Sequence, residues 1–315
     1  MPPNLRVGRQ EYLAQLDELV QDFHLQLEPH QCSVERAAVF DLPGAALVEV
    51  TGPERLEWLN TLVTNKVVDL EPGRAVRAFL LAPTKGRVLA DFLVCETGDR
   101  TWIECAGGSA PAVMEQLQKY WLGREVEFAE REGWWLASLQ GPKAAAILTG
   151  LVNDVPPGEE GTHEETTLAG REARVLRWSD TGLPGYHVWL PAESREAGRT
   201  ALIEAGAGAG DPAAWTVLQI EAGVAAFGRE LDESVIPLEA PTENAIDHGK
   251  GCYPGQEVIA RLWARGRPAR NLRGLRIVEG STPPAGTVLD AAEKPGAATV
   301  TASGESPDLG PVALA

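Results

Sequence analysis

The chain has 315 residues, and 44% of them are hydrophobic, which is enough to fill the cores of two or three domains. Its formal net charge of -17 and its pI near 4.8 argue against general binding to nucleic acids or anionic membranes, so an anionic partner would need a local basic patch. No apolar run approaches the roughly 20 residues that span a bilayer.

The N-terminal segment 11–23 places apolar residues at helical spacing and predicts an amphipathic helix. His24, His30 and Cys32 follow it, but their spacing fits no familiar zinc pattern and no fourth ligand is near. We therefore interpret these three as surface residues.

Residues 37–130 predict a first α+β unit. Two short apolar strands flank a Pro-Gly turn within 37–50, and a helix over 55–62 comes next. Strands then follow over 76–81, 87–94 and 101–105, with a second helix after residue 109. This order indicates antiparallel strands with helices on one side.

From residue 134 the same alternation of strands and helices begins again. Strands are predicted over 134–140, 174–178 and 186–190, and helices over 142–151 and 192–205. The Gly-rich segment 206–212 predicts a linker; no Lys-Ser/Thr pair follows it, so it lacks the pattern of a phosphate-binding loop.

The C-terminal part begins with a short helix over 213–222 and an irregular stretch over 227–247. Regular structure resumes at 258–264. Short apolar strands then alternate with Gly/Pro turns over 275–278, 287–289, 298–302 and 312–314. They predict a small β-barrel or sandwich.

The cysteines stand far apart, without a CxxC pair, and no apolar secretory segment opens the chain. They are Cys32, Cys95, Cys105 and Cys252. We therefore expect free thiols in a reducing cytoplasm.

The stretch Lys250–Glu257, KGCYPGQE, combines two glycines, a proline, a thiol and several polar groups, which predicts a loop with a function. Lys250 would lower the pKa of Cys252 and so favour a nucleophile or a ligand for a soft metal. An inert buried cysteine is the alternative. The nearby histidine for a Cys-His dyad is His248.

Six arginines follow this loop with no Asp or Glu between residues 258 and 278. They are Arg261, Arg265, Arg267, Arg270, Arg273 and Arg276. Arginine prefers bidentate contact with carboxylate or phosphate, so the segment Arg261–Arg276 predicts either an anionic ligand or partner, or salt bridges to the acidic remainder of the chain.

The octet KGCYPGQE resembles the signature of the YgfZ-type folate-binding proteins, which are relatives of a mitochondrial iron–sulfur assembly factor. The wider chain resembles the superfamily of the aminomethyltransferase (T-protein) of the glycine cleavage system. The segments 36–65, 220–231 and 299–315 carry that similarity.

The resemblance implies an α+β fold in which two ferredoxin-like domains and a small C-terminal β-barrel surround a central folate-binding hole. The implied domains are 47–130, 131–265 with the cysteine motif, and the barrel 266–315. Residues 1–46, the N-terminal helix and first strands, would pack with 131–265.

The resemblance also implies tetrahydrofolate as the cofactor. Glu221 stands where the family uses a carboxylate to bind the pterin edge; without the family it would be an ordinary helix residue. Gly251 and Gly255 would shape the loop. The other expected folate-binding residues are Arg229, Tyr253, Gln256, Glu257 and Arg261.

One departure from the superfamily separates two functions. Where the transferases carry GG-x-x-D-D, this chain has Gly86–Asp91 with Ala90 in the first acidic position. The sequence therefore favours a folate-binding protein that supports iron–sulfur cluster assembly or repair in client enzymes, with Cys252 as the reactive thiol. The alternative is a tetrahydrofolate-dependent aminomethyltransferase using Asp91. A tRNA-binding function fits the acidic net charge poorly.

Overall fold

The structure is a computed structural model and describes residues 37–291 and 294–315. The predicted helix over 11–23 and the residues His24, His30 and Cys32 lie outside the described residues. Within the described ranges, no helix is long and apolar enough to cross a membrane.

The first part of the described chain, up to residue 131, contains the elements predicted for it and one more strand. They are β1 (Ala38–Asp41), β2 (Ala46–Thr51), α1 (Arg55–Asn60), β3 (Arg74–Leu81), β4 (Val88–Glu96), β5 (Thr101–Cys105), α2 (Ala110–Tyr120) and β6 (Glu127–Arg131). The sequence missed β6, EFAER, because its charged residues do not stand out from a polar turn.

The middle of the chain repeats the alternation of strands and helices. Its elements are β7 (Trp134–Gln140), α3 (Ala144–Thr149), β8 (His163–Leu168), β9 (Arg171–Arg177), β10 (Gly185–Pro191), α4 (Arg195–Glu204), β11 (Gly208–Ala209) and α5 (Pro212–Ala222). Strand β8 was missed for its polar sequence, and the predicted linker over 206–212 contains β11.

The C-terminal elements are short. They are the 3-10 turns Pro237–Glu239 and Glu243–Ala245, helix α6 (Gln256–Arg265), and strands β12 (Gly274–Arg276), β13 (Val288–Ala291), β14 (Lys294–Thr299), β15 (Ala302–Ser306) and β16 (Gly310–Leu314). Strands β12, β16 and β15 form one sheet, and β13 pairs with β14. The predicted barrel stays a prediction, as do the ferredoxin-like domains.

The first large sheet has the strand order β3-β4-β5-β2-β6, and its strand pairs are antiparallel. One face is covered by α1 and α2, which bury Trp58 and Leu117 against Val48, Phe92 and other strand residues. Burial of these apolar side chains holds the helices to the sheet.

The second large sheet has the order β11-β1-β7-β10-β9-β8. Strand β1 therefore lies in this sheet, although it precedes every strand of the first one. It pairs with β7 and, in parallel, with β11. Helices α3 and α4 cover one face, where Leu148 and Leu202 join the core.

The uncovered faces of the two large sheets pack against each other. Leu93 and Cys95 from β4 meet Leu136 and Trp189 from the second sheet. The ring of Trp102 packs edge-on against Trp189, with 6.3 Å between ring centroids. This apolar interface positions the polar residues described next.

Candidate functional site

Charged side chains collect at one end of the interface between the large sheets. Successive strand residues point to opposite faces, so every second side chain of β3, β4 and β5 faces the second sheet. Arg77, Asp91 and Glu104 do so, and His187 of β10 faces them on the same side of its strand as Trp189. Four strands therefore each place a polar group in this interface.

A cavity of about 730 Å³ lies at this polar end. Its volume is in the range of small-molecule sites, roughly 300–1,000 Å³. Both large sheets, helix α5 and the segment 222–227 contribute to its wall. The aromatic side chains in the wall are Trp178, Trp215 and Phe227.

Asp91 forms a bidentate ion pair with Arg77 in the cavity wall. The guanidinium Nε and Nη2 atoms donate to Oδ1 and Oδ2 at 2.8 and 2.6 Å. The carboxylate is 8% exposed and the guanidinium side chain 14%. This fork geometry fixes both side chains, yet each carboxylate oxygen can still accept another hydrogen bond.

The neighbouring Ala90 points the other way on β4. It is fully buried in the core beneath α1 and α2, whereas Asp91 lines the cavity. The sequence placed the first acidic position of the transferases at Ala90. In the structure the strand turns Asp91, and not Ala90, toward the cavity.

His187 is bound by two carboxylates. Its Nδ1 is 2.6 Å from Glu104 Oε1 and its Nε2 is 2.6 Å from Asp180 Oδ2. Burial alone would lower the pKa of His187, but the two carboxylates outweigh that effect and raise this pKa well above its usual value. The imidazole therefore carries a positive charge.

The predicted loop Lys250–Glu257 lies outside the cavity wall. Cys252 is exposed, while Cys95 and Cys105 are buried, and these three described cysteines are free thiols. Among the described residues, no group of three or more His, Cys, Asp or Glu is arranged to hold a metal.

Lys250 closes the end of α1. Its Nζ donates to the carbonyl oxygens of Asn60 at 2.7 Å and Asn65 at 2.9 Å, and also to that of Val63. Burial lowers the pKa of Lys250 to about 8, which still leaves an ammonium with three donors at neutral pH. Within the described chain these contacts do not involve Cys252, so nothing in the geometry supports tuning of the thiol by Lys250.

Gly255 and Tyr253 anchor the loop to the first sheet. Gly255 has a φ of +84°, and a Cβ there would lie 2.9 Å from Leu81 Cβ. The Tyr253 ring is buried in a cluster with Leu81 and Ile259, and its backbone N–H donates to the Gln256 side chain. Gly251 meets no neighbour within 4 Å at its Cβ position. The cavity wall contains none of the loop residues Gly251, Tyr253, Gly255 and Gln256.

Glu221 faces the C-terminal sheet rather than the cavity. Along α5, Trp215, Gln219 and Ala222 lie on the cavity side at helical spacing. Glu221 lies on another side of the helix, where burial raises its pKa and a hydrogen bond from Ser306 opposes that shift. The prediction that Glu221 contacts the ligand is therefore not supported by its position.

Arg229 reaches the cavity only through another residue. Its Nη2 donates to Gln219 Oε1 at 3.2 Å, and its Nε donates to Glu230 at 2.6 Å. Gln219 lines the cavity, but Arg229 does not.

The arginines after the loop mostly bind the chain itself. Glu257 and Arg261 pair with each other on the exposed surface of α6, at 3.1 Å, and neither lines the cavity. Arg270 pairs with Glu239 at 2.8 Å. For these residues the salt-bridge interpretation of the segment holds.

Sequence reasoning missed Arg77, Glu104 and His187. The signal was available: each is a single charged or titratable residue inside an apolar strand, as in TWIEC and GYHVWL. Such residues are rarely buried without a partner, so they predict a buried polar cluster.

Comparisons with known proteins agree with this architecture. A family model described as the GCVT N-terminal domain matches residues 12–250. The fold is similar to the crystal structure of glycine cleavage system aminomethyltransferase T from Bartonella henselae, with a TM-score of 0.78 and 26% identity, covering 94% of this chain and 80% of that one.

Two curated aminomethyltransferases show the similarity in sequence. The one from Rubrobacter xylanophilus is 32% identical over a match that covers 75% of this chain. The same match covers 64% of that relative, just under two thirds of its length. The one from Streptomyces coelicolor is 29% identical over 91% of this chain and 80% of its own length. The chain therefore belongs to the GCVT N-terminal domain family, within the superfamily that its sequence resembles.

Proposed function

We propose that this chain binds tetrahydrofolate in the cavity between the two large sheets and catalyses an aminomethyl transfer of the glycine cleavage type. One observation carries the proposal: Asp91, held by Arg77, faces the cavity. The names of the Rubrobacter and Streptomyces relatives support the same reaction class.

The cavity wall suits a reduced folate in size and chemistry. A reduced pterin ring has several N–H donors, and the wall offers carboxylate acceptors at Asp91 and Asp180. Trp178 and Trp215 supply flat apolar surfaces for aromatic rings. Ser179 Oγ is also buried in this wall with no hydrogen-bond partner among the described residues, as expected for an atom that a ligand would satisfy.

Tetrahydrofolate, when bound, supplies the amine nitrogens that accept the one-carbon unit. The role of the chain is to orient that amine and to place a negative charge beside it. Asp91 can do both, because its two oxygens keep free lone pairs while Arg77 prevents the carboxylate from rotating. The part of the wall around Asp91, Glu104 and His187 is buried, which limits access of water to these groups.

Support of iron–sulfur cluster assembly, as in the YgfZ-type proteins, is a second candidate. One observation favours it: Cys252, in the complete KGCYPGQE loop, is the exposed thiol among the three described cysteines. We assign either activity to the cytoplasm, where free thiols persist. Client or assembly proteins would have to bind at the loop surface.

Turnover by the purified protein separates the two candidates. The assay combines tetrahydrofolate with an aminomethyl donor and compares wild type with Asp91→Asn and Cys252→Ser. We expect Asp91→Asn to lose at least about 100-fold in rate, and Cys252→Ser to keep the wild-type rate. Thermal unfolding of both variants controls for loss of folded protein.

The opposite results would redirect the assignment. If the wild-type protein binds tetrahydrofolate but shows no turnover with any aminomethyl donor, the proposed folate binding stands and the proposed transferase reaction is ruled out. Complementation in cells would then decide whether Cys252→Ser abolishes the activity of iron–sulfur enzymes. A Cys252→Ser variant with full activity in that assay would remove the second candidate.

A further inference from the structure

The loop Trp178–Gly182 forms one wall of the cavity, and the buried side chain of Gln140 makes several of the hydrogen bonds that hold it. Gln140 is 1% exposed, and its Nε2 donates to the Trp178 carbonyl at 3.0 Å. Its Oε1 accepts from the Thr181 hydroxyl at 3.0 Å and from the Asp180 N–H at 3.3 Å. Three bonds from one side chain fix the backbone at Trp178 and Asp180 and the hydroxyl of Thr181.

Asp180 is also fixed through its carboxylate. Its Oδ2 accepts hydrogen bonds from His187 Nε2 at 2.6 Å and from Ser138 Oγ at 2.7 Å. The other nitrogen of His187 binds Glu104. Because carboxylates accept and do not donate, both ring nitrogens must carry a proton. His187 is therefore a fixed cation, unsuited to exchanging protons with a ligand, and it anchors Asp180.

Asp180 differs from the other two largely buried carboxylates of the cavity. Asp91 and Glu104 each have a hydrogen bond on both oxygens, and their side chains are 8% and 5% exposed. Asp180 is 18% exposed, and its Oδ1 has no hydrogen bond from any described residue. The next residue back, Ser179, leaves its buried Oγ without a partner. Adjacent residues in this wall thus present two polar atoms that receive no hydrogen bond from the described residues.

We propose that Asp180 recognises the N–H donors of the 2-amino-4-oxopyrimidine edge of the folate, and that His187 is a positioning residue that holds it for this contact. The inference rests on the proposed binding of tetrahydrofolate. Its chemical basis is that a rigid carboxylate with one free oxygen matches the amino and ring N–H donors of that edge. Asp91 remains available for the amine where the one-carbon unit is transferred.

Calorimetric titration with tetrahydrofolate and with its 2-desamino analogue tests the contact. Wild type should bind the analogue about 10- to 100-fold more weakly, since a hydrogen bond to a charged acceptor is lost. The Asp180→Asn variant should bind tetrahydrofolate more weakly than wild type by a similar factor, and its affinities for the two ligands should differ little. Glu172→Gln, which removes an exposed carboxylate from β9 outside the cavity wall, should behave as wild type.

The role of His187 is tested by a double-mutant cycle. His187→Gln should weaken binding less than Asp180→Asn, and the double variant should bind no more weakly than Asp180→Asn alone, because His187 acts through Asp180. Additive losses would assign His187 an independent role and overturn the positioning function.

Each remaining outcome is decisive. Equal affinity of wild type for both ligands would overturn the Asp180 contact while leaving folate binding intact. This comparison needs no variant and no control for folding. Wild-type affinity in Asp180→Asn would also overturn the contact. Failure of wild type to bind tetrahydrofolate at all would overturn the proposed function and the inference together.

Discussion

The cavity between the large sheets and the loop Lys250–Glu257 use their polar residues in opposite ways. In the cavity, charged groups from several strands meet and leave Asp91 and Asp180 able to accept hydrogen bonds from a ligand. In the loop, Lys250 donates hydrogen bonds to three backbone carbonyls, and Glu257 forms an ion pair with Arg261 of the same helix. A conspicuous local motif can thus make mainly structural contacts, while the polar groups that line a cavity come from distant parts of the chain.

The largest effect should come from breaking the ion pair of the cavity. Asp91→Asn leaves Arg77 buried without its partner and should lower the free energy of unfolding by about 4 kcal/mol, measured by urea denaturation. The exposed pair of Asp99 with Arg100 is the control, and Asp99→Asn should change this free energy by less than about 1 kcal/mol.

A double replacement shows what the ion pair is for. Arg77→Met combined with Asp91→Leu removes both charges, so it should recover most of the lost stability but no folate binding. Recovery of binding in the double variant would contradict a functional role for the pair.

The next largest effect should be a loss of stability at low pH, caused by a histidine where the two large sheets meet. His163 lies there, with Nδ1 accepting from Arg174 at 2.9 Å and Nε2 donating to the Arg74 carbonyl at 3.2 Å. Burial, followed by the charge of Arg174, lowers the pKa of His163 to about 4. The unfolded chain takes up a proton near pH 6.5, so stability is fully present above that pH and falls as pH drops toward 4, by about 3 kcal/mol in all.

The variant His163→Gln isolates this effect. Its stability should change less between pH 6.5 and 4 than that of wild type, as followed by urea denaturation at each pH. If the unfolding free energies of the two proteins depend on pH in the same way, His163 is not the cause of the loss of stability in acid.

The loop offers a matched pair of glycines. Gly255→Ala should cost about 2 to 3 kcal/mol, because it strains a positive φ and pushes a methyl group against Leu81. Gly251→Ala meets open space and should change the unfolding free energy by roughly 0.5 kcal/mol or less. Equal losses at the two positions would contradict the close packing of the loop at Gly255.

Lys250→Met should have the smallest of these effects, a loss of roughly 2 kcal/mol from three backbone carbonyls left without their donor. It should leave the reactivity of Cys252 toward a thiol reagent unchanged. Lys66→Met, at an exposed pair with Asp69, is the control and should be nearly neutral. A slower reaction of the Cys252 thiol in Lys250→Met would restore the tuning role that the sequence suggested.

The sequence predicted most strands and helices, because apolar spacing decides them locally. It also named Asp91 as a candidate catalytic residue, which stays a prediction. It did not predict which residues line the cavity, because Asp180 and His187 meet Glu104 only after two sheets from different parts of the chain pack together. For the same reason it could not decide the directions of Ala90 and Glu221, because the direction of a side chain depends on which face of its strand or helix is covered.

A crystal structure of the protein with bound tetrahydrofolate tests the central claim most directly. We predict the pterin ring inside the cavity, with its amino edge on Asp180 and a ring amine near Asp91. A pterin bound at the Cys252 loop or against Glu221, with the cavity empty, would contradict the account.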